Sequence, residues 1–378
     1  MTRKLLLLLL MLSNIIFSQN NLSVRVTLKV ISASVPAGSD IYVAGNTREL
    51  GEWQAGAVKL NKTGAEVWEK AFTAEPGERL EFKFTLGEWA KEALKTDGSV
   101  PPNNVLTVST DTTAEYTIEK WNNGERHNEG KITGNVRYHL KLEWPGINPR
   151  DVIVWLPPDY SQEPGVRYPV LYMHDGQNII DPATSSFGVD WGADETADRL
   201  IRAGKMKSII IVGIYNTRNR TSEYSYTENG YAYMKFITDK LKPLIDSTYM
   251  TLPDRKNTAT MGSSMGGLIS LMLAWEHPEV FSMAGCLSPA FKIQQLNYNK
   301  FLKKYDGPDK DIKLYIDNGG IGLEAQLQPG IDDAISILKE KGFTEGKNLL
   351  VYFDKAAEHN ERAWASRLWM PFLFMFGK

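Results

Sequence analysis

Gly262-Ser-Ser-Met-Gly266 is the stretch best equipped for covalent chemistry. It follows a short β-branched run, 258–261, and precedes an apolar run through Leu268, Ile269, Leu271, Met272, Leu273 and Trp275. That order predicts a sharp strand-to-helix turn. Such a reversal holds the middle serine in a strained backbone conformation, and flanking side chains would collide with strand or helix. Glycines at 262 and 266 remove the collisions, and Gly267 lets the helix pack closely. The helix N-terminus then aims backbone N–H groups at the place where an oxyanion would develop. Ser264 is the candidate nucleophile. A serine hydroxyl is a poor nucleophile at neutral pH, so a base must lie within hydrogen-bond reach.

Gly-x-Ser-x-Gly between a strand and a helix resembles the nucleophile elbow of the α/β-hydrolases, in which an acid and then a histidine follow the serine. Of the five histidines, His127, His139 and His174 precede Ser264, and His277 ends the elbow helix, too far along it to fold back. His359, in a loop expected between the last strand and the last helix, is left as the base. The acid belongs after the strand that ends near Ile316. Asp317 and Glu324 are the candidates, with Asp332 and Asp333 placed at the opening of a helix; Asp317 could equally cap the Gly-Gly turn. Either carboxylate would fix the imidazole tautomer and stabilise the imidazolium. The second oxyanion donor is expected from the turn Met173-His-Asp-Gly-Gln-Asn178, where Gly176 allows close approach. The backbone N–H groups of Gln177 and Met265 are assigned to the hole. His174 and Asp175 are expected to make structural hydrogen bonds beneath it.

Those groups need a sheet to hold them. From about residue 135 strand-like runs (137–140, 150–156, 168–173, 208–214, 258–261, 281–287, 312–316 and 349–353) alternate with helical patterns at 193–203, 231–245, 267–275, 331–341 and 361–376. The fold class expected is α/β, an α/β-hydrolase doubly wound, mostly parallel sheet over 135–378, with its site beyond the strands' C-terminal ends. The aromatic stripe of the last helix reads as core. Tyr172-Met-His-Asp-Gly-Gln-Asn178, Gly262-Ser-Ser-Met-Gly-Gly267 and His359-Asn-Glu-Arg-Ala-Trp364 resemble one esterase family within these hydrolases. That family includes the feruloyl and acetyl-xylan esterases of carbohydrate esterase family 1, enterochelin esterases, S-formylglutathione hydrolase and the mycolyltransferases. Its acid usually sits a few residues after a Gly in the turn beyond its strand, and this resemblance favours Glu324 over Asp317.

The N-terminal third reads differently. Residues 1–18 have a basic start and a short apolar run ending at the small Ser18, the pattern of a secretory signal peptide rather than of a span. An uncleaved anchor is the alternative. Residues 19–120 carry short alternating strands separated by Gly, Asn and Pro turns, which predicts a small all-β, immunoglobulin-like sandwich. A polar Gly-rich linker, 121–134, follows. Gly38-Ser-Asp-Ile-Tyr-Val-Ala-Gly-Asn46, Glu49-Leu-Gly-Glu-Trp53, Trp68 and Glu81-Phe-Lys-Phe84 resemble the starch-binding domains of carbohydrate-binding family 20. The resemblance implies that Trp53 stacks on a sugar face and Lys83 assists, with Trp68 a further candidate and Trp89 a loose match for a second stacking ring. Ala37 stands where that family often has a second-site tyrosine.

Composition narrows the classes. Apolar residues make up 42% and charged residues 23%, so the chain can build ordinary cores. A net charge of −2 gives no general attraction to nucleic acid or an anionic membrane. The single cysteine, Cys286, excludes an intrachain disulfide, a Cys-based zinc cluster and a CxxC pair. Neither metal nor organic cofactor is expected. The function expected is a secreted or periplasmic serine esterase acting on acylated poly- or oligosaccharide, feruloyl or acetyl, with the sandwich holding glycan. The alternatives are a siderophore esterase of the enterochelin type, an acyltransferase, or a glycan-binding protein with a vestigial hydrolase. Loops 181–191, 215–230 and 290–311 are the expected pocket walls, where Trp191, Tyr224 and Tyr226 either line a slot or pack.

Overall fold

The computed structural model describes residues 23–378 except 52, 97, 99, 100, 102, 123–131 and 187, and all of their side chains but that of Ala90. The expected signal peptide, and most of the expected linker, lie outside the described residues. The chain divides into two compact units, Met1–Gly124 and Glu125–Lys378.

In the first unit, Val24–Ile31 alternates buried Val24, Val26, Leu28 and Val30 with more exposed residues. It pairs antiparallel with Val67–Ala74 and parallel with Thr112–Thr117. A second sheet runs in the order Val58–Lys59, Tyr42–Gly45, Arg79–Thr85 and Asn104–Thr107. Inward residues of both sheets, among them Leu28, Val43, Trp68, Phe82 and Phe84, form one core. Apolar alternation on one face of each sheet leaves this as the only way to bury both.

The second unit is built on eight strands: β1 (Asn135–Trp144), β2 (Ile147–Leu156), β3 (Val170–His174), β4 (Ile210–Ile214), β5 (Thr258–Ser263), β6 (Met283–Leu287), β7 (Lys313–Gly319) and β8 (Leu349–Asp354). Their order across the sheet is β1-β2-β4-β3-β5-β6-β7-β8. Pairing is antiparallel at the β1 and β2 edge and parallel from β4 onward. Both faces are covered. Val152, Val154 and Tyr172 enter one core with the elbow helix α1 (Met265–Glu276), while Ile153, Trp155, Leu171 and Met173 enter a second with Trp364, Leu368 and Phe372. Parallel pairing from β3 to β8 has one consequence for chemistry: every turn leaving those strands opens at the same edge.

The helix expected at 231–245 runs from Glu228 to Thr248 with a π-helical stretch, Phe236–Leu241, in its middle. Two others differ from expectation, each at a proline. The helix expected at 331–341 is α2 (Leu323–Glu340), which begins eight residues earlier and carries Pro329 inside it. A proline removes one hydrogen bond and reads as a breaker, but the tertiary contacts override it. The last helix is two, α3 (Glu361–Arg367) and α4 (Trp369–Phe376), because Pro371 cannot donate to the turn before it. Among the described residues no helix is long and apolar enough to cross a membrane.

Candidate active site

Ser264 sits between β5 and α1 with φ 57° and ψ −120°, a region that favours glycine. Main-chain bonds hold it on both sides. Its N–H donates to the Leu287 carbonyl at 2.9 Å, and its carbonyl accepts from Ala290 at 3.0 Å and from Gly267 at 3.1 Å. A methyl group at 262 would lie 2.7 Å from the Gly266 carbonyl carbon, so glycine is required where the chain folds back.

The loop after β8 carries His359, and glycine clearance brings it to α2. A methyl group at 319 would sit 2.5 Å from the Ala357 oxygen and 2.8 Å from Glu324 Cγ. Without those methyls, the N–H groups of Gly320 and Ile321 both bond the Ala357 carbonyl at 3.1 Å. Asn360 then caps α3, its side chain accepting from the Ala363 N–H. As a result His359 Nδ1 faces Glu324 Oε2 at 3.4 Å, and neither atom has another hydrogen-bond partner. His359 keeps 15% of its side chain exposed, while Glu324 is fully buried. Burial pushes the Glu324 carboxyl up, but His359, the Ser288 hydroxyl and Arg367 outweigh it and hold it below the usual carboxylate range. Among the described residues the Ser264 hydroxyl makes no hydrogen bond to His359. Such pairs are often long in a free site and tighten on substrate.

Asp317 occupies a different place from the turn expected for it. It lies within β7, and Arg367 grips it through two bonds of 2.9 and 3.0 Å. Tyr315 donates to it at 2.9 Å as well. No histidine reaches it among the described contacts. Asp332 and Asp333 are on the body of α2 rather than at its start.

On the other side of the elbow, Asp175-Gly176-Gln177 follows β3. Asp175 takes φ 59° and ψ 45°, and Arg220 holds its carboxylate through two bonds of 2.7 Å. Asn216 adds a third at 2.6 Å. Burial pushes the Asp175 carboxyl up; the Arg220 guanidinium more than offsets this. Gln177 is fixed by the Thr184 hydroxyl on its carbonyl and by its own side-chain oxygen on the Asn216 N–H. A methyl at 266 would lie 3.4 Å from Asp175 Oδ2, so this turn abuts the N-terminus of α1 and Met265. Beneath it His174 bonds Tyr233 at 2.8 Å and Thr260 at 3.1 Å.

Trp191 and Tyr224 are buried and pack, Trp191 against Trp364 at 5.5 Å and Tyr224 against Tyr233 at 5.2 Å; Tyr226 packs against Phe301 at 4.9 Å with the rings inclined at 60°. Sequence reasoning missed Arg220, Ser288 and Arg367, and read Trp364 only as a motif and core residue; their roles come only from what folding puts beside them. Among the described residues one group could hold a cation: Asp190, Asp194 and Glu195 bring carboxylate oxygens within 4.8 Å of one another. Burial and then Glu195 push the Asp194 carboxyl up to about 8.

In the first unit Trp53 has φ 63°, and its N–H donates to the Gly45 carbonyl at 2.7 Å. Its half-buried ring lies 6.5 Å from that of Trp89 at an angle of 32°. The other two candidates are corrected by burial. Trp68 is 2% exposed, a core residue with the Lys62 ammonium 4.8 Å above its ring, and presents no face to a sugar. Lys83 is 7% exposed, and its ammonium pairs with Glu92 at 2.8 Å.

Residues 148–372, more than half of the chain, match the esterase family, and residues 23–118 match the starch-binding domain. The chain belongs to the esterase family. It is a carboxylic ester hydrolase. Over 181 residues it is 33% identical to an endo-1,4-beta-xylanase/feruloyl esterase of Xylanibacter ruminicola, covering 47% of this chain and 22% of that protein. Uncharacterized protein YbbA of Bacillus subtilis is 23% identical over 61% of this chain and 93% of its own. Among solved structures, a ferulic acid esterase shares the fold with a TM-score of 0.53 and 20% identity, over 64% of this chain and 97% of that one. The enterobactin esterase FES of Shigella flexneri gives 0.53 at 12% identity, over 89% and 87%.

Burial drives His174 down to about 3 from an ordinary 6.5. Between those values the unfolded chain binds the extra proton, so stability falls as pH falls through that window. The melting temperature of the esterase unit in the full chain is expected to drop from pH 6.5 towards 4, and His174→Asn to flatten the slope. Parallel curves for wild type and variant would show that His174 does not carry the effect.

Proposed function

We propose that this chain is an exported serine esterase that removes feruloyl or acetyl groups from poly- or oligosaccharides through an acyl-enzyme. The observation that carries the reading is the buried Glu324 carboxylate facing His359 at 3.4 Å, at the strand edge where Ser264 stands on its elbow. Ser264 Oγ attacks the ester carbonyl while His359 takes its proton, and the Gln177 and Met265 N–H groups receive the oxyanion. Collapse expels the sugar hydroxyl, which leaves with the proton from His359. Water, deprotonated by the same imidazole, then attacks the acyl-serine, releasing the acid and restoring the hydroxyl.

A feruloyl substrate is supported by the identity to the xylanase/feruloyl esterase. Export rests on the basic and apolar pattern of residues 1–18, and the sandwich, which we read as immunoglobulin-like, is assigned to glycan through Trp53 and Trp89. N-terminal sequencing of exported protein checks for a cut after Ser18.

Wild type is expected to hydrolyse p-nitrophenyl acetate and methyl ferulate, and Ser264→Ala to lose about 1,000-fold or more in kcat. Turnover that survives in folded Ser264→Ala would sink the assignment, and faster cleavage of a catecholate siderophore than of methyl ferulate would move the substrate to that class. For the first unit, Trp53→Ala is expected to lower retention on insoluble starch or xylan about tenfold. Equal retention would remove Trp53 from the site.

A further inference from the structure

We infer that Ser288 and Arg367 are positioning residues for the hydrolysis, fixing Glu324 so that one carboxylate oxygen is left to His359. The inference rests on the reading of Glu324 as the acid, and it concerns residues that no sequence motif marks.

Ser288 follows β6 at φ 43°, its N–H bonded to both the main-chain oxygen and Oδ1 of Asp317, at 2.9 and 3.1 Å. Its hydroxyl has three partners: Glu324 Oε1 at 2.6 Å, Trp364 Nε1 at 2.9 Å and Arg367 Nη2 at 2.9 Å. Indole and guanidinium nitrogens only donate. They therefore occupy the oxygen's two lone pairs, and its single proton has one destination, Glu324. The direction of the bond is fixed by counting donors.

This settles how the carboxylate is shared. Oε1 is taken by Ser288, with Arg367 Nη2 at 3.9 Å, and Oε2 is left opposite His359 Nδ1. Arg367 is itself held by the two bonds it donates to Asp317. Trp364 links the two ends, donating to Ser288 while its ring meets His359 edge-on at 4.9 Å. Ser288, Glu324, Trp364 and Arg367 are all buried, so water cannot replace a missing bond. Asp317 thus acts as the anchor of the chain that ends at Glu324.

The test uses the full chain with p-nitrophenyl acetate and methyl ferulate. Ser288→Ala removes the hydroxyl; Ser288→Gly does the same at a residue that accepts positive φ freely, which separates the hydroxyl from backbone strain. Both are expected to lower kcat about 10- to 100-fold, the worth of one charge-assisted hydrogen bond, with KM changed less than about threefold. Arg367→Lys should fall in the same direction, since an ammonium cannot grip Asp317 twice and still reach Ser288. In a Glu324→Gln background the Ser288→Ala factor should shrink to about threefold or less, because the hydroxyl acts through that carboxylate. Unchanged kcat in folded Ser288→Ala and Ser288→Gly, or the full factor persisting beside Glu324→Gln, would overturn the inference. If Glu324→Gln alone leaves kcat intact, the acid assignment itself has failed; if it abolishes turnover while the Ser288 variants keep theirs, only the positioning role has.

Discussion

The backbone of Ser264 is the constraint on which the esterase unit depends. Holding a residue other than glycine at φ 57° and ψ −120° costs about 1–3 kcal/mol. The neighbours that offset it come from elsewhere in the chain: Leu287 at the end of β6 and Ala290 just past it, together with Gly267 in the helix. A peptide with the elbow sequence alone would relax. The strained serine exists only once β5 and β6 have paired, so the reactive geometry is a property of the assembled sheet.

Loops around the elbow are clipped to the sheet by arginine–carboxylate pairs, two of them buried and one, Arg220–Asp175, with its arginine partly exposed. Arg367 holds Asp317 on β7, Arg220 holds Asp175 beyond β3, and Arg150 on β2 holds Glu223 at 2.8 Å. Such pairs add little net stability, because desolvation consumes most of their attraction. Their effect here is directional. A planar guanidinium engaged twice fixes both position and angle, which a hydrophobic contact cannot do. The clips on Asp317 and Asp175 lie two residues, or one side chain, away from a group assigned to the chemistry. The acid and the oxyanion turn are thereby held to the rigid part of the fold.

The first unit shows how far residue type alone can mislead. Trp53 and Trp68 look alike as sugar platforms in sequence. Trp68 is on the inward face of a strand and fills the core, whereas Trp53 is turned out at a positive-φ position, beside Trp89. The eighteen residues between strand Arg79–Thr85 and strand Asn104–Thr107 hide the second ring, since no periodicity predicts which way a tryptophan in such a connection points. The family resemblance implied a sugar contact for Lys83, yet its strand is buried from Leu80 onward and its charge meets Glu92 instead.

Much of the esterase unit was readable in the chain. Strand-like runs located all eight strands, and the inner parallel ones read as nearly continuous apolar residues because a sheet covered on both faces needs them. Glycine spacing marked the elbow, because only glycine clears the reversal. Chain order left His359 as the candidate base. What the sequence could not separate was Asp317 from Glu324, since both are carboxylates just past Ile316, and Pro329 disguised the helix that carries the latter. The distinction was tertiary: Arg367, fifty residues on, packs against one carboxylate, and the Ala357 turn, resting on Gly319 and Gly320, delivers the imidazole to the other. Partners that far apart in sequence meet only when the sheet has set the distance between its edges, and no local pattern records that distance.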